Sequence, residues 1–298
     1  MLSTVFCFNA ILIDKGLNPM LSYPASAIST PDGQVNILQI TDLHLSSHVP
    51  AAVDETSSEV AICQYSFEAI IKQALSEDRR CDLIIVTGDL VNKVQTEIYD
   101  HIFKVLQATG IPFACIAGNH DVTDENDSEL PFFQRELIAR PTDERLLSRH
   151  MIETEHWQLL LLDSSITGKV AGEVTATDID WLCQQLETCT KPALIALHHH
   201  VIPVDSDWID QHMVKNADTF WQRMAAFEHL KVIISGHTHQ EQVRQHQGVT
   251  VYSTPSTCYQ FQPFEDDFAY DKNALPGYRW LQLANNGEVA SWVERLDT

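Results

Sequence analysis

Five short clusters of potential metal ligands occur along the chain, each directly after an apolar run. The clusters are Asp42-Leu43-His44, Gly88-Asp89, Gly118-Asn119-His120-Asp121, His198-His199-His200 and Gly236-His237-Thr238-His239. Any one of them alone is weak evidence for a site, because Asp, Asn, His and Gly are also common in loops and turns. The ordered set of five predicts a hydrolytic site that holds two metal ions.

The donor types and their spacing indicate which ions this site would hold. Carboxylates mixed with imidazoles favour iron, manganese, zinc or cobalt over calcium, which prefers oxygen ligands alone. In an extended chain residues i and i+2 point to the same side, so Asp42 is expected to converge with His44, and His237 with His239. Asp89 is the expected bridge between the two ions.

The third cluster requires a change of chain direction. Asn119 and His120 are adjacent, so their side chains would diverge in a strand. Both can serve one site only if the chain turns there, and Gly118 permits such a turn.

The segments that must position the clusters alternate between strand-like and helix-like patterns. Apolar runs rich in β-branched residues predict strands, and apolar residues at helical spacing predict helices. The strands cover residues 35–40, 82–87, 113–117, 157–162, 193–197 and 231–235, and the helices cover residues 59–76, 96–109 and 178–187. This alternation predicts an α/β fold with parallel strands, in which ligands gather at the carboxyl ends of the strands. All five clusters fall at such ends.

The C-terminal part of the chain predicts further strands. They are assigned to one second sheet and cover residues 249–253, 278–283 and 289–295, the last two forming a hairpin. The helix over residues 178–187 is expected to begin at a capping box formed by Thr177 and Asp180.

Composition places the chain among soluble globular proteins. It has 298 residues, of which 44% are hydrophobic and 20% charged, close to the globular average. We expect one catalytic domain over residues 34–298, preceded by an N-terminal extension of uncertain order over residues 1–33. The formal charge of -22 opposes attraction to nucleic acid or to an anionic membrane. A small-molecule substrate, bound by a monomer or a homodimer, is therefore expected.

Cysteine usage and the N-terminal residues bear on the compartment. The seven cysteines are odd in number, include no C-x-x-C pair and lie mostly in apolar runs, which predicts reduced core residues. The apolar stretch over residues 5–13 is too short for a bilayer span, which needs ~20 residues, and no basic segment precedes it. These features favour a cytoplasmic protein.

The ordered set D-x-H, GD, GNHD, HHH and GHTH resembles the calcineurin-like metallophosphoesterases, from residue 35 to the C-terminus. That resemblance implies a four-layer α/β/β/α sandwich of the metallophosphoesterase type. It implies that one metal ion is held by Asp42, His44, Asp89 and His239, and the other by Asp89, Asn119, His198 and His237. The histidine triplet leaves the choice of ligand open by itself; His198 is preferred because it directly follows the strand, at the family's usual position.

Three flanking segments give a closer resemblance. Residues 208–212, 236–241 and 254–258 are similar to those of bacterial class III cyclic-nucleotide phosphodiesterases. This implies hydrolysis of 3′,5′-cyclic AMP to 5′-AMP, which ends a second-messenger signal. The alternative substrates within the same chemistry are cyclic GMP, 2′,3′-cyclic nucleotides, glycerophosphodiesters and nucleotide sugars. An alternative of another class is a non-catalytic binding protein with a degenerate metal site. Purple acid phosphatases carry a metal-binding tyrosine where this chain has Asn92, so that activity is not expected.

The resemblance also implies a mechanism. Two ions, iron and manganese above all, lie roughly 3.5–4 Å apart, hold a bridging hydroxide and stabilise the charge of in-line attack. His120 would bind phosphate or protonate the leaving oxygen as a catalytic residue, and Asp121 would orient it. The expected substrate contacts are His44, Asn119, His120, His199 and His200.

Aromatic residues follow the segment 254–258. Tyr259, Phe261 and Phe264 are candidates for an apolar wall against a purine base, although packing in the core or between subunits is the commoner use of such rings. Trp208, in a polar loop, is a candidate for contact with the substrate.

Overall fold

In the computed structural model, the described residues are 27–46, 59–76, 79–122, 146–147 and 149–297. Thirteen strands and five helices are assigned within them. The strands are β1 Val35–Ile40, β2 Leu83–Thr87, β3 Phe113–Ile116, β4 Arg149–Glu153, β5 Gln158–Leu162, β6 Ala193–Ala196, β7 Leu230–Ser235, β8 Gln242–His246, β9 Val249–Ser253, β10 Gln260–Phe261, β11 Tyr270–Asp271, β12 Gly277–Leu283 and β13 Val289–Arg295. The helices are α1 Glu59–Ala74, α2 Thr96–Ala108, α3 Ala176–Thr188, α4 Asp207–Asp210 and α5 Ala217–Met224.

Two sheets form the centre of the fold. One has five strands in the order β13-β12-β1-β2-β3, and the other has six in the order β4-β5-β6-β7-β9-β8. The pairs β1–β2, β2–β3, β5–β6, β6–β7 and β7–β9 are parallel, as the alternating pattern predicts. Strands buried on both faces read as continuous apolar runs, and every residue of β2 and β5 is buried.

Three apolar clusters fill the spaces between four layers. The inner cluster joins the facing sides of the two sheets, with Ile37 and Ile85 from one sheet and Leu159 and Ile234 from the other. A second cluster packs α1 and α2 on the five-stranded sheet, and a third packs α3 and α5 on the six-stranded sheet. Successive strand residues point to opposite faces, so each central strand contributes to two clusters. The result is the expected α/β/β/α sandwich.

The structure corrects two local predictions and leaves the N-terminal extension untested. β9 pairs with β7 in one sheet while the β12–β13 hairpin extends the other, so these strands do not form a sheet of their own. Helix α3 begins two residues earlier than predicted, because the hydroxyl of Thr175 caps it by accepting from the backbone N–H of Asp178. The N-terminal extension lies outside the described residues up to residue 26, and Ile28 donates a 2.9 Å backbone hydrogen bond to Glu153.

Cysteine chemistry also differs from the prediction. Cys63 of α1 and Cys258 form a disulfide across 195 residues of sequence, with Cα atoms 4.5 Å apart. Cys81, Cys115, Cys183 and Cys189 are free. Only the tertiary packing of α1 against the segment after β9 brings the bonded pair together. The spacing of the cysteines along the chain therefore does not predict this disulfide.

None of the described helices combines the length and apolar character that a membrane crossing requires.

Candidate metal centre

The five clusters meet at one edge of the sandwich. Strands β1, β2 and β3 of one sheet and β6 and β7 of the other each end directly before a cluster. β1, β2, β6 and β7 lie inside their sheets and β3 is an edge strand; ligands of open parallel sheets bind outside such carboxyl ends. Potential metal ligands from both sheets therefore face each other across the sandwich.

The first group of ligands comes from the ends of β1, β2 and β7. His239 Nε2 lies 3.2 Å from Asp42 Oδ1 and 3.1 Å from His44 Nε2. His44 Nε2 lies 3.7 Å from Asp89 Oδ2. The ligand atoms of Asp42, His44 and His239 lie within 4.8 Å of one another, and Asp89 approaches them through His44, so these side chains could hold one ion.

The second group shares Asp89 with the first. His198 Nε2 lies 3.4 Å from Asp89 Oδ2 and 3.2 Å from Asn119 Oδ1. The ring of His237 lies 5.1 Å from that of His198. Asp89 Oδ2 thus approaches a histidine of each group.

The backbone conformation at these residues is not the extended one that the spacing predicts. Asp42, His44, Asp89, His237 and His239 all have φ between 46° and 65°. This left-handed conformation is uncommon for residues other than glycine, and such strain collects at functional sites. The expectation of an extended chain with i and i+2 on one side is wrong in its geometry, although it named residues that do converge.

Glycines beside the ligands leave room that a side chain would fill. A Cβ on Gly118 would lie 2.2 Å from Asp89 Oδ1, and a Cβ on Gly88 would lie 2.5 Å from His198 Nδ1. Gly88 has φ of 96°, whereas Gly118 is not among the residues with positive φ. The turn after β3 therefore needs glycine for the close approach of Asp89 rather than for a left-handed backbone.

The buried carboxylates and imidazoles of this centre shift one another's pKa values. Burial raises the pKa of Asp89, but His198, His120 and His44 together outweigh it and lower that pKa well below its usual range. Burial opposes charge on His198 as well, yet Asp89 raises its pKa to about 9. Burial lowers the pKa of His44 to about 3, so this ring is neutral, the form that binds metals.

One unpaired atom supports the same conclusion. His237 Nε2 is buried and has no hydrogen-bond partner among the described residues. A buried unpaired donor or acceptor costs about 1–3 kcal/mol, and coordination of an ion would satisfy it. The mixed carboxylate and imidazole donors fit iron, manganese, zinc or cobalt.

The histidine triplet points in three directions. His198 Nδ1 donates to the carbonyl of Thr87 at 2.7 Å, which leaves Nε2 facing Asp89 and Asn119. Metal-binding histidines are commonly oriented by such a bond from the second nitrogen. The preference for His198 as the ligand agrees with this arrangement.

The other two histidines are buried beside His237. His199 is buried with its nitrogens on Ser164 Oγ at 2.8 Å and the Val170 carbonyl at 3.0 Å. His200 Nε2 lies 3.1 Å from Asp210 Oδ1. Their rings pack against His237. Both nitrogens of His199 are bonded to residues earlier in the chain, whereas His200 Nδ1 has no hydrogen-bond partner among the described residues. Contact of these two histidines with substrate stays a prediction.

His120 stands at the open side of the centre. Its ring meets that of His44 edge-on at 4.7 Å, and it is half-buried, as is Asn119. His120 Nδ1 lies 3.0 Å from the carbonyl of Asn92, and its backbone N–H donates to Asp89 Oδ1 at 2.8 Å. Burial opposes charge on the ring, but Asp89, the Asn92 carbonyl and Asp121 together outweigh it and raise the pKa of His120.

Asp121 supports the loop rather than the ring of His120. Its carboxylate accepts from the Tyr99 hydroxyl at 2.6 Å and from the backbone N–H groups of Gly118 and Leu90 at 2.9 and 3.1 Å. Burial raises its pKa to about 6. The prediction that Asp121 orients His120 is corrected: the Asn92 carbonyl does so, a backbone group that no side-chain motif reveals.

Comparison with known proteins agrees with this geometry. The calcineurin-like phosphoesterase family matches residues 35–241, which include all five clusters. The chain belongs to the calcineurin-like phosphoesterase family. It is therefore a phosphoesterase, and the resemblance inferred from its motifs is confirmed. The calcineurin-like fold accounts for the two facing sheets, and the His and Asp groups at their edge could hold the divalent metal ions that such phosphoesterases use.

Two relatives of this calcineurin-like chain carry more specific names. A probable cyclic nucleotide phosphodiesterase of Psychrobacter arcticus is 79% identical over 94% of this chain and 100% of the relative. The 3′,5′-cyclic adenosine monophosphate phosphodiesterase CpdA of Vibrio vulnificus is 35% identical over 91% of this chain and 93% of that protein. A dimetal phosphatase from Danio rerio has the same fold, with a TM-score of 0.54 at 13% identity, covering 88% of this chain and 99% of that one.

Proposed function

We propose that this phosphoesterase hydrolyses 3′,5′-cyclic AMP to 5′-AMP at a dinuclear metal site with a bridging hydroxide, and so ends a second-messenger signal. The observation that carries the proposal is the convergence of two ligand groups on Asp89, with His120 on the open side. The substrate follows from relatives that are named for it and align over nine-tenths of the chain. One catalytic domain over residues 34–298 would suffice for the reaction.

The side chains divide into two sets of metal ligands. One ion would be held by Asp42, His44, Asp89 and His239, and the other by Asp89, Asn119, His198 and His237. Two bound divalent ions supply hydroxide at neutral pH and a positive field for the phosphoryl oxygens. We expect iron, manganese or both, with zinc or cobalt as substitutes, because these accept the same donors.

His120 is the proposed proton donor. Its Nδ1 faces the Asn92 carbonyl, so this nitrogen carries a hydrogen and holds the ring in place. The neighbouring Asp89 favours the charged ring. Nε2 then carries the second proton, which it would give to the 3′ oxygen as that oxygen leaves phosphorus. Asn119, half-buried beside it, would contact an incoming phosphate.

The test is the rate of 5′-AMP formation by purified protein loaded with manganese or iron, measured beside a generic phosphodiester. Turnover that needs the metal and is faster for cyclic AMP supports the proposal. Turnover of the generic ester alone would keep the metal chemistry but refute the substrate. A panel of cyclic GMP, 2′,3′-cyclic AMP, a glycerophosphodiester and a nucleotide sugar then identifies the substrate. Absence of any turnover by metal-loaded protein would refute catalysis.

A further inference from the structure

A short ribbon of two antiparallel strands, β10 and β11, places aromatic rings beside the metal centre. The ring of Phe261 stacks on His239, with centroids 4.2 Å apart and planes 19° apart. The ring of Tyr259 stacks on His44 at 5.1 Å. The Tyr259 carbonyl also lies 2.8 Å from His239 Nδ1 and so orients that ligand. The aromatic series thus begins on two imidazoles of the first ligand group.

The series continues outward along the ribbon. Phe268 lies 5.5 Å from Phe261 and 4.9 Å from Tyr270, measured between ring centroids. Trp208 meets Phe268 edge-on at 5.0 Å. Yet 54% of Phe268 and 39% of Tyr270 remain exposed. Exposed apolar surface that is continuous with a site is a common mark of a ligand contact.

The charges around the ribbon restrict what these rings could bind. Residues 265–267 are Glu-Asp-Asp, and all three are exposed at the tip of the ribbon. An acidic rim repels a phosphate, whereas it tolerates a neutral flat group. Aromatic side chains bind bases by stacking, and every base offers a π-face.

We propose that Phe261, Phe268 and Tyr270 form a stacking platform for the purine base of the substrate. The inference rests on the proposed function, because it assumes a phosphodiester held at the metal centre with a nucleoside attached. When the phosphate lies at the metal ligands, the attached base extends across the neighbouring surface. Phe261, whose ring stacks on His239, is the first ring of the platform on that surface. A purine covers more of this surface than a pyrimidine, so the platform favours purine cyclic nucleotides.

The experiment compares substrates that differ only in the base. Steady-state kinetics are measured for cyclic AMP and for a ribose 3′,5′-cyclic phosphate without a base, with wild type, Phe268→Ala and Tyr270→Ala. Tyr65→Ala, which removes a ring 59% exposed on α1, is the matched control. The quantity compared is kcat/KM for cyclic AMP divided by kcat/KM for the base-free ester. We expect each platform variant to lower this ratio about tenfold, chiefly because KM for cyclic AMP rises. Inhibition by 5′-AMP should weaken by a similar factor, while inhibition by ribose 5-phosphate and the control variant should not change.

The outcomes separate this proposal from the one it rests on. Wild-type turnover of cyclic AMP with an unchanged ratio in both variants would refute the platform alone. An unchanged ratio, together with a smaller molecular mass of the variants than of wild type by light scattering, would assign the rings to contact between two copies of the chain. This result would also refute the platform. Wild-type turnover of the base-free ester without turnover of cyclic AMP would refute the proposed function, and the platform with it.

Discussion

Gly236 links β7 to the ligand His237, and its lack of a side chain is required by the packing around Asp42. A Cβ at this position would lie 2.0 Å from Thr41 Oγ1 and 2.5 Å from Asp42 Oδ2. Both neighbours are fully buried, and they are joined by a 2.7 Å hydrogen bond. Real Cβ atoms essentially never come within 3.0 Å of a heavy atom outside their own residue and its chain neighbours. Gly236→Ala must therefore displace the Thr41 hydroxyl by about 1 Å and the Asp42 carboxylate by about 0.5 Å.

The substitution would displace both the Asp42 carboxylate, a proposed metal ligand, and the Thr41 hydroxyl that donates to it. The Asp42 carboxylate accepts from the backbone N–H of His237 at 3.0 Å, so moving it also disturbs a second ligand. Loss of ligand support typically costs about 10–100-fold in metal affinity, and a shift of about 1 Å costs about 100-fold in rate. We therefore expect Gly236→Ala to weaken manganese binding 10–100-fold and to lower kcat/KM at subsaturating metal by at least as much.

Isothermal titration with manganese measures the affinity, and thermal unfolding tests whether the fold persists. Gly110→Ala is the control, because Gly110 has φ of 70° but nothing within 4 Å of its Cβ position, so it carries backbone strain without steric contact. The reasoning is refuted if Gly236→Ala folds and binds manganese as tightly as wild type.

Three further predictions concern other parts of the molecule. His120→Ala should retain both metal ions by elemental analysis while kcat falls about 10²–10⁴-fold; equal loss of metal would make it a ligand instead. Asp210 accepts from His200 and two backbone N–H groups, and its pKa is lowered because these bonds outweigh burial. Asp210→Asn should therefore lower the free energy of unfolding by about 1–2 kcal/mol at pH 7, and urea titrations should find this difference vanishing as the pH falls below 3.8; a constant difference would contradict it. Reduction of the Cys63–Cys258 disulfide should lower the free energy of unfolding by about 2–5 kcal/mol, measured by urea unfolding with and without a dithiol, and the double serine variant should not respond to the dithiol.

Local pattern was sufficient for the fold class and for naming the candidate ligands that the fold brings together. Apolar runs predicted the strands that end at the centre within a residue or two, because buried parallel strands have few polar positions to obscure them. The strands β4, β8, β10 and β11 escaped prediction because they are short or carry polar residues at a sheet edge. Sheet membership of β9 also escaped, since pairing between distant segments leaves no local signal.

The order and types of the candidate metal ligands could be predicted from the sequence by itself, because Asp, Asn and His follow the apolar runs that form the strands. Which nitrogen of each ring faces the centre was decided only by the tertiary structure. His198 and His199 are neighbours with the same chemistry, yet the Thr87 carbonyl turns one toward Asp89 while Ser164 holds the other away. Such choices depend on contacts between residues far apart in the chain, as does the pairing of Cys63 with Cys258, and these contacts exist only once the two sheets have packed together.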